Sequence, residues 1–298
     1  MSKITRRSFI KKMAGSAAAL AANNHLLGGS DVVHAAPQRI TTNTLGKTGL
    51  VVPRLAFGTG TRGWKFASDQ TRLETRRFVE LAEHAYNSGI AFFDCADIYG
   101  SHTYVREALK VVPRDRVTIL SKIWTQPNDW ITPGSTAETL DRFRREIGTE
   151  TIDILLIHCQ VSPNWLEETR EMRDYYSEMK AKGVIRAHGV SCHTLEALQA
   201  AAESDWVEVL LARINHTGSH MDATPDKVMP VLKKAHDRGA GVLGMKIFGV
   251  GDLVSDEQRQ ASLEFSWRSG NVDAMTIGFE NTGQIDDTIM RINRILAG

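Results

Sequence analysis

The sequence predicts a single α/β domain folded as a (β/α)8 barrel, and three observations carry that expectation. A helix–glycine–strand unit keeps returning after residue 37. Eight apolar runs can be counted, with helical patterns alternating between them. Several of those runs close on a polar side chain: Asp94, Lys122 and His158 each end one. Barrel enzymes gather their chemistry at the ends of strands, and eight β–α units in about 260 residues suit that architecture.

Taken in order, the first element is a short N-terminal β-hairpin, Arg39 to Val52, around Gly46-Lys-Thr-Gly49. The eight strands are expected near 54–58, 90–94, 117–122, 152–157, 185–190, 208–213, 241–245 and 273–277. Phe78, Leu81, Ala82 and Ala85 have helical spacing, and Gly89 stops them before Ile90-Ala-Phe-Phe. Ser135-Thr-Ala-Glu138 reads as a capping box for the next helix. Met172, Tyr175, Tyr176 and Met179 repeat the helical pattern, with Gly183 as the stop. Thr224-Pro225-Asp226 starts a helix with a cap and a first-turn proline; Val228, Val231, Leu232 and Ala235 continue it to Gly239. Ile285, Ile289 and Ile292 mark the last helix. An open doubly wound sheet is the competing architecture, and it would carry a Gly-x-Gly-x-x-Gly turn leading straight into a helix. Gly58-Thr-Gly60-Thr-Arg-Gly63 imitates that spacing, but Trp64-Lys-Phe-Ala-Ser68 intervenes, so the segment reads as a barrel loop.

The chain has 298 residues, 42% of them hydrophobic and 24% charged, with a net charge of +1. That balance argues against nucleic acid or an acidic membrane as partner. Much of the positive charge is local: within residues 1–35 five basic side chains stand against Asp31 alone. The opening Ser2-Lys-Ile-Thr-Arg6-Arg7-Ser-Phe-Ile-Lys-Lys12 resembles the twin-arginine translocation motif. An alanine-rich apolar stretch and a small-residue cleavage site, Val33-His-Ala35, follow in the right order. The stretch is too short and too polar for a stable membrane span. The expected division is therefore a signal peptide at 1–36 and the barrel at 37–298. It implies the twin-arginine export machinery as a partner and the periplasm as destination, reached in the folded state. Cys95, Cys159 and Cys192 form no metal-like cluster and no evident disulfide framework. Strand alternation predicts that Cys95 and Cys159 turn towards the helices as small hydrophobes. No metal site is expected.

Leu45-Gly-Lys-Thr-Gly-Leu50, Phe93-Asp-Cys-Ala-Asp-Ile-Tyr-Gly100, Leu155-Leu-Ile-His158 and Gly189-Val-Ser191 together resemble the aldo-keto reductase family, in its order and from about residue 40 to the C-terminus. The resemblance implies a (β/α)8 barrel that binds a nicotinamide nucleotide and reduces a small aldehyde or ketone. It makes Tyr99 the proton donor, with Asp94, Lys122 and His158 tuning and positioning it. The side chains suit that work. A tyrosine holds its proton at neutral pH, and a nearby ammonium draws its pKa towards the working range. Asp94 would keep Lys122 charged, and His158 would orient the carbonyl oxygen.

The resemblance places the cofactor against Ser191, Cys192, Met245, Lys246, Gly249, Gly251, Gly278, Glu280, Asn281 and Gln284. Several depart from the family pattern. Ser191-Cys192 stands for a serine–asparagine pair, and Leu211 for a glutamine, with Asn215 retained. Met245 stands for an aromatic residue. Glu280 lies where NADP-preferring members carry a cation. The family as a whole points to NADP, whereas Glu280 points to NAD, unless Arg268 or Arg291 compensates. Trp64, Trp124 and Trp130 are expected to wall the substrate pocket against an apolar or flat carbonyl. The chain stops at Gly298, without the long C-terminal loop of many members, so a shallow pocket, or one completed by another subunit, is expected. The competing function is an exported nucleotide-binding or sensing barrel with little turnover, which the altered residues 192 and 211 favour.

Overall fold

Ten strands and nine helices carry the described part of the chain, which in this computed structural model is residues 40–126, 130–131 and 134–298. The expected export segment lies outside the described residues. Strands β1 (Thr42–Thr44) and β2 (Val51–Pro53) pair antiparallel as the expected hairpin. The remaining strands are β3 (Leu55–Gly58), β4 (Phe92–Asp94), β5 (Thr118–Trp124), β6 (Ile152–Gln160), β7 (Ile185–Cys192), β8 (Val209–Arg213), β9 (Gly241–Met245) and β10 (Ala274–Gly278). They pair in parallel, in sequence order, and close on themselves between β10 and β3. The helices are α1 (Thr75–Asn87), α2 (His102–Ala108), α3 (Thr136–Ile147), α4 (Trp165–Glu168), α5 (Arg170–Ala181), α6 (Leu195–Glu203), α7 (Pro225–Asp237), α8 (Asp256–Arg268) and α9 (Thr282–Ala297).

Strand alternation divides the core in two. Ala56, Phe92, Leu120, Ile154, Leu156, Ala187, Val209, Leu243 and Ala274 fill the barrel interior. Their neighbours Leu55, Phe57, Phe93, Ile119, Leu155 and Ile157 pack outward against Phe78, Leu81, Phe143, Tyr176, Leu232 and Ile292 of the helices. The hairpin contributes Leu45, Leu50 and Val52 to the interior cluster and so plugs the N-terminal mouth. Lys47 N donates to Gly239 O at 2.8 Å and anchors the plug. Ser135 and Glu138 form the expected capping box; Ser255 and Gln258 form a second, on α8.

Three strands run two or more residues past their expected ends: β5 extends to Trp124, β6 to Gln160 and β7 to Cys192. The extension of β6 contains a bulge, where the pairing with β7 slips between Ile157 and Gln160. Cys159 sits there with φ +61°, in the left-handed region.

Candidate active site

Asp94, Lys122 and His158 share strand parity with the interior residues Phe92, Leu120 and Leu156, so all three point into the barrel at its C-terminal mouth. Lys122 is fully buried and Asp94 is 6% exposed. The Lys122 ammonium donates to Asp94 Oδ1, and to the main-chain oxygen of Cys95 at 2.7 Å. Burial pulls the ammonium down, but Asp94 and Tyr99 together outweigh it and leave its pKa raised. Lys122 is therefore a cation.

A 3-10 turn, Asp97–Tyr99, carries Tyr99 over this pair and ends at Gly100 in the left-handed conformation. Lys122 Nζ lies 4.9 Å from the Tyr99 ring centroid. Tyr99 Oη stands 3.5 Å from His158 Nε2, and the two rings meet edge to face. Burial pushes the Tyr99 phenol up to about 12; Lys122 pulls it down and Asp94 pushes it up. The ammonium is thus present as expected, but burial overrides its pull towards the working range. His158 is held well below the usual histidine range, first by burial and then by Lys122, so its imidazole is neutral.

The loop Gly58–Gly63, with its imitation of a nucleotide-binding turn, has a different use. A Cβ added at Gly60 would stand 2.2 Å from Tyr99 Cε2, and one at Gly63 would stand 2.4 Å from Tyr99 Cδ1. The two glycines make a slot for the Tyr99 ring.

A cavity of about 690 Å³ opens above these residues. Tyr99, Asp94, His158, Met245, Lys246, Gly251, Gly278, Glu280 and Gln284 all line it, with Trp64 and Trp124. Trp130, also expected in the pocket wall, does not line this cavity but packs on the other two tryptophans beside it. Trp64 meets Trp124 and Trp130 with centroids 5.4 and 4.8 Å apart, Phe66 adds a further edge, and Trp124 packs edge to face on His158 at 5.3 Å. Trp64 and Phe66 remain 47% and 45% exposed, at the mouth.

Four expected cofactor residues do not line the cavity. Ser191 is buried and its Oγ accepts from Cys159 N at 2.8 Å. Cys192 has the opposite parity and packs in the outer core. A Cβ on Gly249 would meet Ser219 Oγ at 3.1 Å. Asn281 caps α9 by accepting from Gln284 N. Neither arginine expected to compensate Glu280 lines the cavity: Arg291 is buried on Asp287 and Asp256, and Arg268 pairs with Glu264.

Cys159 corrects one expectation: it lines the cavity rather than packing against the helices, because the bulge resets the alternation after His158. Its thiol is pushed up to about 11, chiefly by burial. Cys95 and Cys192 do face the outer core. Sequence reasoning also missed His193, Arg62 and Arg259, which line the cavity. Only the place of Arg62, within the Gly58–Gly63 loop, offered a signal.

The cavity suits a nicotinamide nucleotide. The Lys246 ammonium faces it, and among the described residues no acceptor hydrogen-bonds to it. At Gly251 an added Cβ would meet nothing within 4 Å, so main chain borders open space. Among the described residues no group of three or more His, Cys, Asp or Glu side chains stands ready to hold a metal ion.

Comparison with known proteins places these features. Residues 54–295 match the model of the Aldo/keto reductase family. The chain is 25% identical over 174 residues to an NAD/NADP-dependent indole-3-acetaldehyde reductase of Schizosaccharomyces pombe, covering 57% of this chain and 56% of the relative. It is 26% identical over 165 residues to an NADH-specific methylglyoxal reductase of Escherichia coli, covering 49% and 50%. The chain thus spans about half the length of the curated relatives it matches. A Pseudomonas aeruginosa structure assigned to the aldo-keto reductases superposes with a TM-score of 0.70 at 23% identity, over 86% of this chain and 96% of that one.

The slot predicts that Gly60→Ala lowers stability by about 1–3 kcal/mol, the usual cost of overpacking a filled site. The control is Gly134→Ala, where the nearest atom to an added Cβ is 3.4 Å away. Denaturant unfolding of both variants tests this; equal midpoints would show that the loop yields freely to Tyr99.

Proposed function

Because the chain belongs to the aldo/keto reductase family, we propose that it reduces a small aldehyde or ketone to an alcohol with a reduced nicotinamide nucleotide, Tyr99 giving the proton. The observation that carries this reading is the meeting of Tyr99 Oη and His158 Nε2 at the wall of one cavity, with the buried Lys122 ammonium against the Tyr99 ring. The nicotinamide, when bound, supplies the hydride to the carbonyl carbon. Tyr99 holds the proton for the carbonyl oxygen, and its phenol, up at about 12, stays protonated across ordinary pH. Lys122 stabilises the tyrosinate that donation leaves, and Asp94 keeps Lys122 charged and in place. Neutral His158 orients the carbonyl oxygen beside Tyr99 Oη. Trp64 and Trp124, backed by Trp130, favour a flat, apolar substrate, and an aldehyde bearing an aromatic ring, of the kind named for the fission-yeast relative, fits that wall.

We propose NAD(H) as the preferred nucleotide. Glu280 lines the cavity, and an acidic residue suits a free ribose diol better than a 2′-phosphate. The neighbouring cations are already engaged, Arg62 with Asp69 and Arg259 with Asp256. We also propose that Arg6-Arg7 directs export of the folded protein to the periplasm, with nucleotide loaded beforehand.

Four outcomes are expected. Tyr99→Phe lowers carbonyl reduction by about 10²–10⁴-fold while nucleotide binding is nearly unchanged; wild-type turnover in that variant would overturn the mechanism. In the wild type, reduction uses the protonated phenol and holds its rate as pH rises. Alcohol oxidation uses tyrosinate and climbs with pH, and in Lys122→Met its rise moves to higher pH because the stabilising ammonium is gone.

Glu280→Arg shifts the NADPH/NADH affinity ratio about tenfold towards NADPH. A ratio that stays put on titration would mean that Glu280 does not face the 2′ position.

Replacing Arg6 and Arg7 by lysine retains the protein in the cytoplasm. Unaltered periplasmic recovery on fractionation would refute the twin-arginine assignment.

A further inference from the structure

Ser191 Oγ is engaged by Cys159 N and Cys192 packs in the outer core, so neither lines the cavity, and the amide of a bound nicotinamide lacks the side chains that the sequence suggested. The next residue, His193, does face the cavity. Its main chain is clamped at both ends: N donates to Gln160 O at 2.8 Å, and O accepts from Arg213 Nη2 at 2.6 Å. Arg213 is itself tied to Asp222. The imidazole, by contrast, hydrogen-bonds to none of the described residues. Burial and the cations Arg213, Lys246 and Lys122 push it down to about 3, so it is neutral. A neutral imidazole offers one N–H donor and one acceptor nitrogen, the two functions that a carboxamide complements.

Its place is also right. The reacting ring carbon must stand beside Tyr99 and His158, and His193 follows β7, the strand paired with the one that carries His158. His193 lies close enough to His158 to depress its basicity. Lys246, the cation suited to the phosphates, is close to His193 in turn. An amide one ring position from the reacting carbon would meet His193 on the way to Lys246.

We propose that His193, in place of Ser191-Cys192, binds the carboxamide of the nicotinamide and thereby sets which face of the ring meets the substrate. This rests on the nucleotide reading above. The test titrates NADH and ADP-ribose, which lacks the nicotinamide, into the wild type, His193→Leu and His193→Gln. His193→Leu should weaken NADH about tenfold, as the loss of hydrogen bonds to one group would. ADP-ribose affinity should be unchanged, which also shows that the variant is folded. His193→Gln, with a donor and an acceptor of its own, should keep most of the NADH affinity. Equal losses for both ligands, or no loss of NADH, would overturn the role of His193 while leaving the nucleotide reading in place. Failure of the wild type to bind NADH would remove both.

Discussion

Lys122 places a full charge inside the barrel, and the mouth of the protein is organised around that ammonium. A buried charge is tolerated only when paired and hydrogen-bonded. Asp94 answers it from the neighbouring strand, and the Cys95 carbonyl takes a second of its protons. Tyr99 then covers the pair with its ring. The phenol is held between glycines, an ammonium and a neutral histidine, so it has little freedom to turn its hydroxyl away from His158. One electrostatic requirement therefore fixes three side chains, and the arrangement proposed for catalysis follows from satisfying it.

Barrel closure supplies the rigidity that such a pair needs. Eight parallel strands leave no open edge, and the hairpin seals the far mouth with Leu45, Leu50 and Val52. Irregular backbone is gathered at the other mouth. Arg62, Cys159, Lys246 and Val250 all have positive φ, and all four line the cavity. Strain of this kind persists where the surroundings overdetermine it. Cys159 shows how: Ser191 Oγ holds its N–H, and Gln126 Nε2 donates to its carbonyl oxygen.

Charge along the cavity is graded rather than uniform. On one side Lys122 and Arg213 are held by Asp94 and Asp222, His158 and His193 are kept neutral, and the Lys246 ammonium faces the cavity with no acceptor bonded to it among the described residues. Towards Glu280 the cations are each matched by an acid, Arg62 by Asp69 and Arg259 by Asp256. The first side suits phosphates and an amide; the second suits hydroxyls. Both belong to one cavity of about 690 Å³.

The barrel, the hairpin and the placing of Asp94, Lys122 and His158 were legible in the sequence because they depend on period. Alternation along a strand tells which side chains face inward, and a polar residue that continues an inward series must emerge at the mouth. Tyr99 was legible through the specificity of its motif. The burial of its phenol was not, since the tightness of a slot depends on what two distant glycines leave open. Cys159 was misplaced because a single extra residue in a bulge reverses parity without any mark in composition. His193 went unread because a residue just past a strand end has no periodic neighbour to orient it; only the clamps from Gln160 and Arg213 turn it to the cavity. Short-range pattern thus determined the elements and the faces they present. Tertiary packing alone decided the register at a bulge, the depth of a side chain and the partner left for each polar atom, because those depend on residues that meet only when the barrel closes.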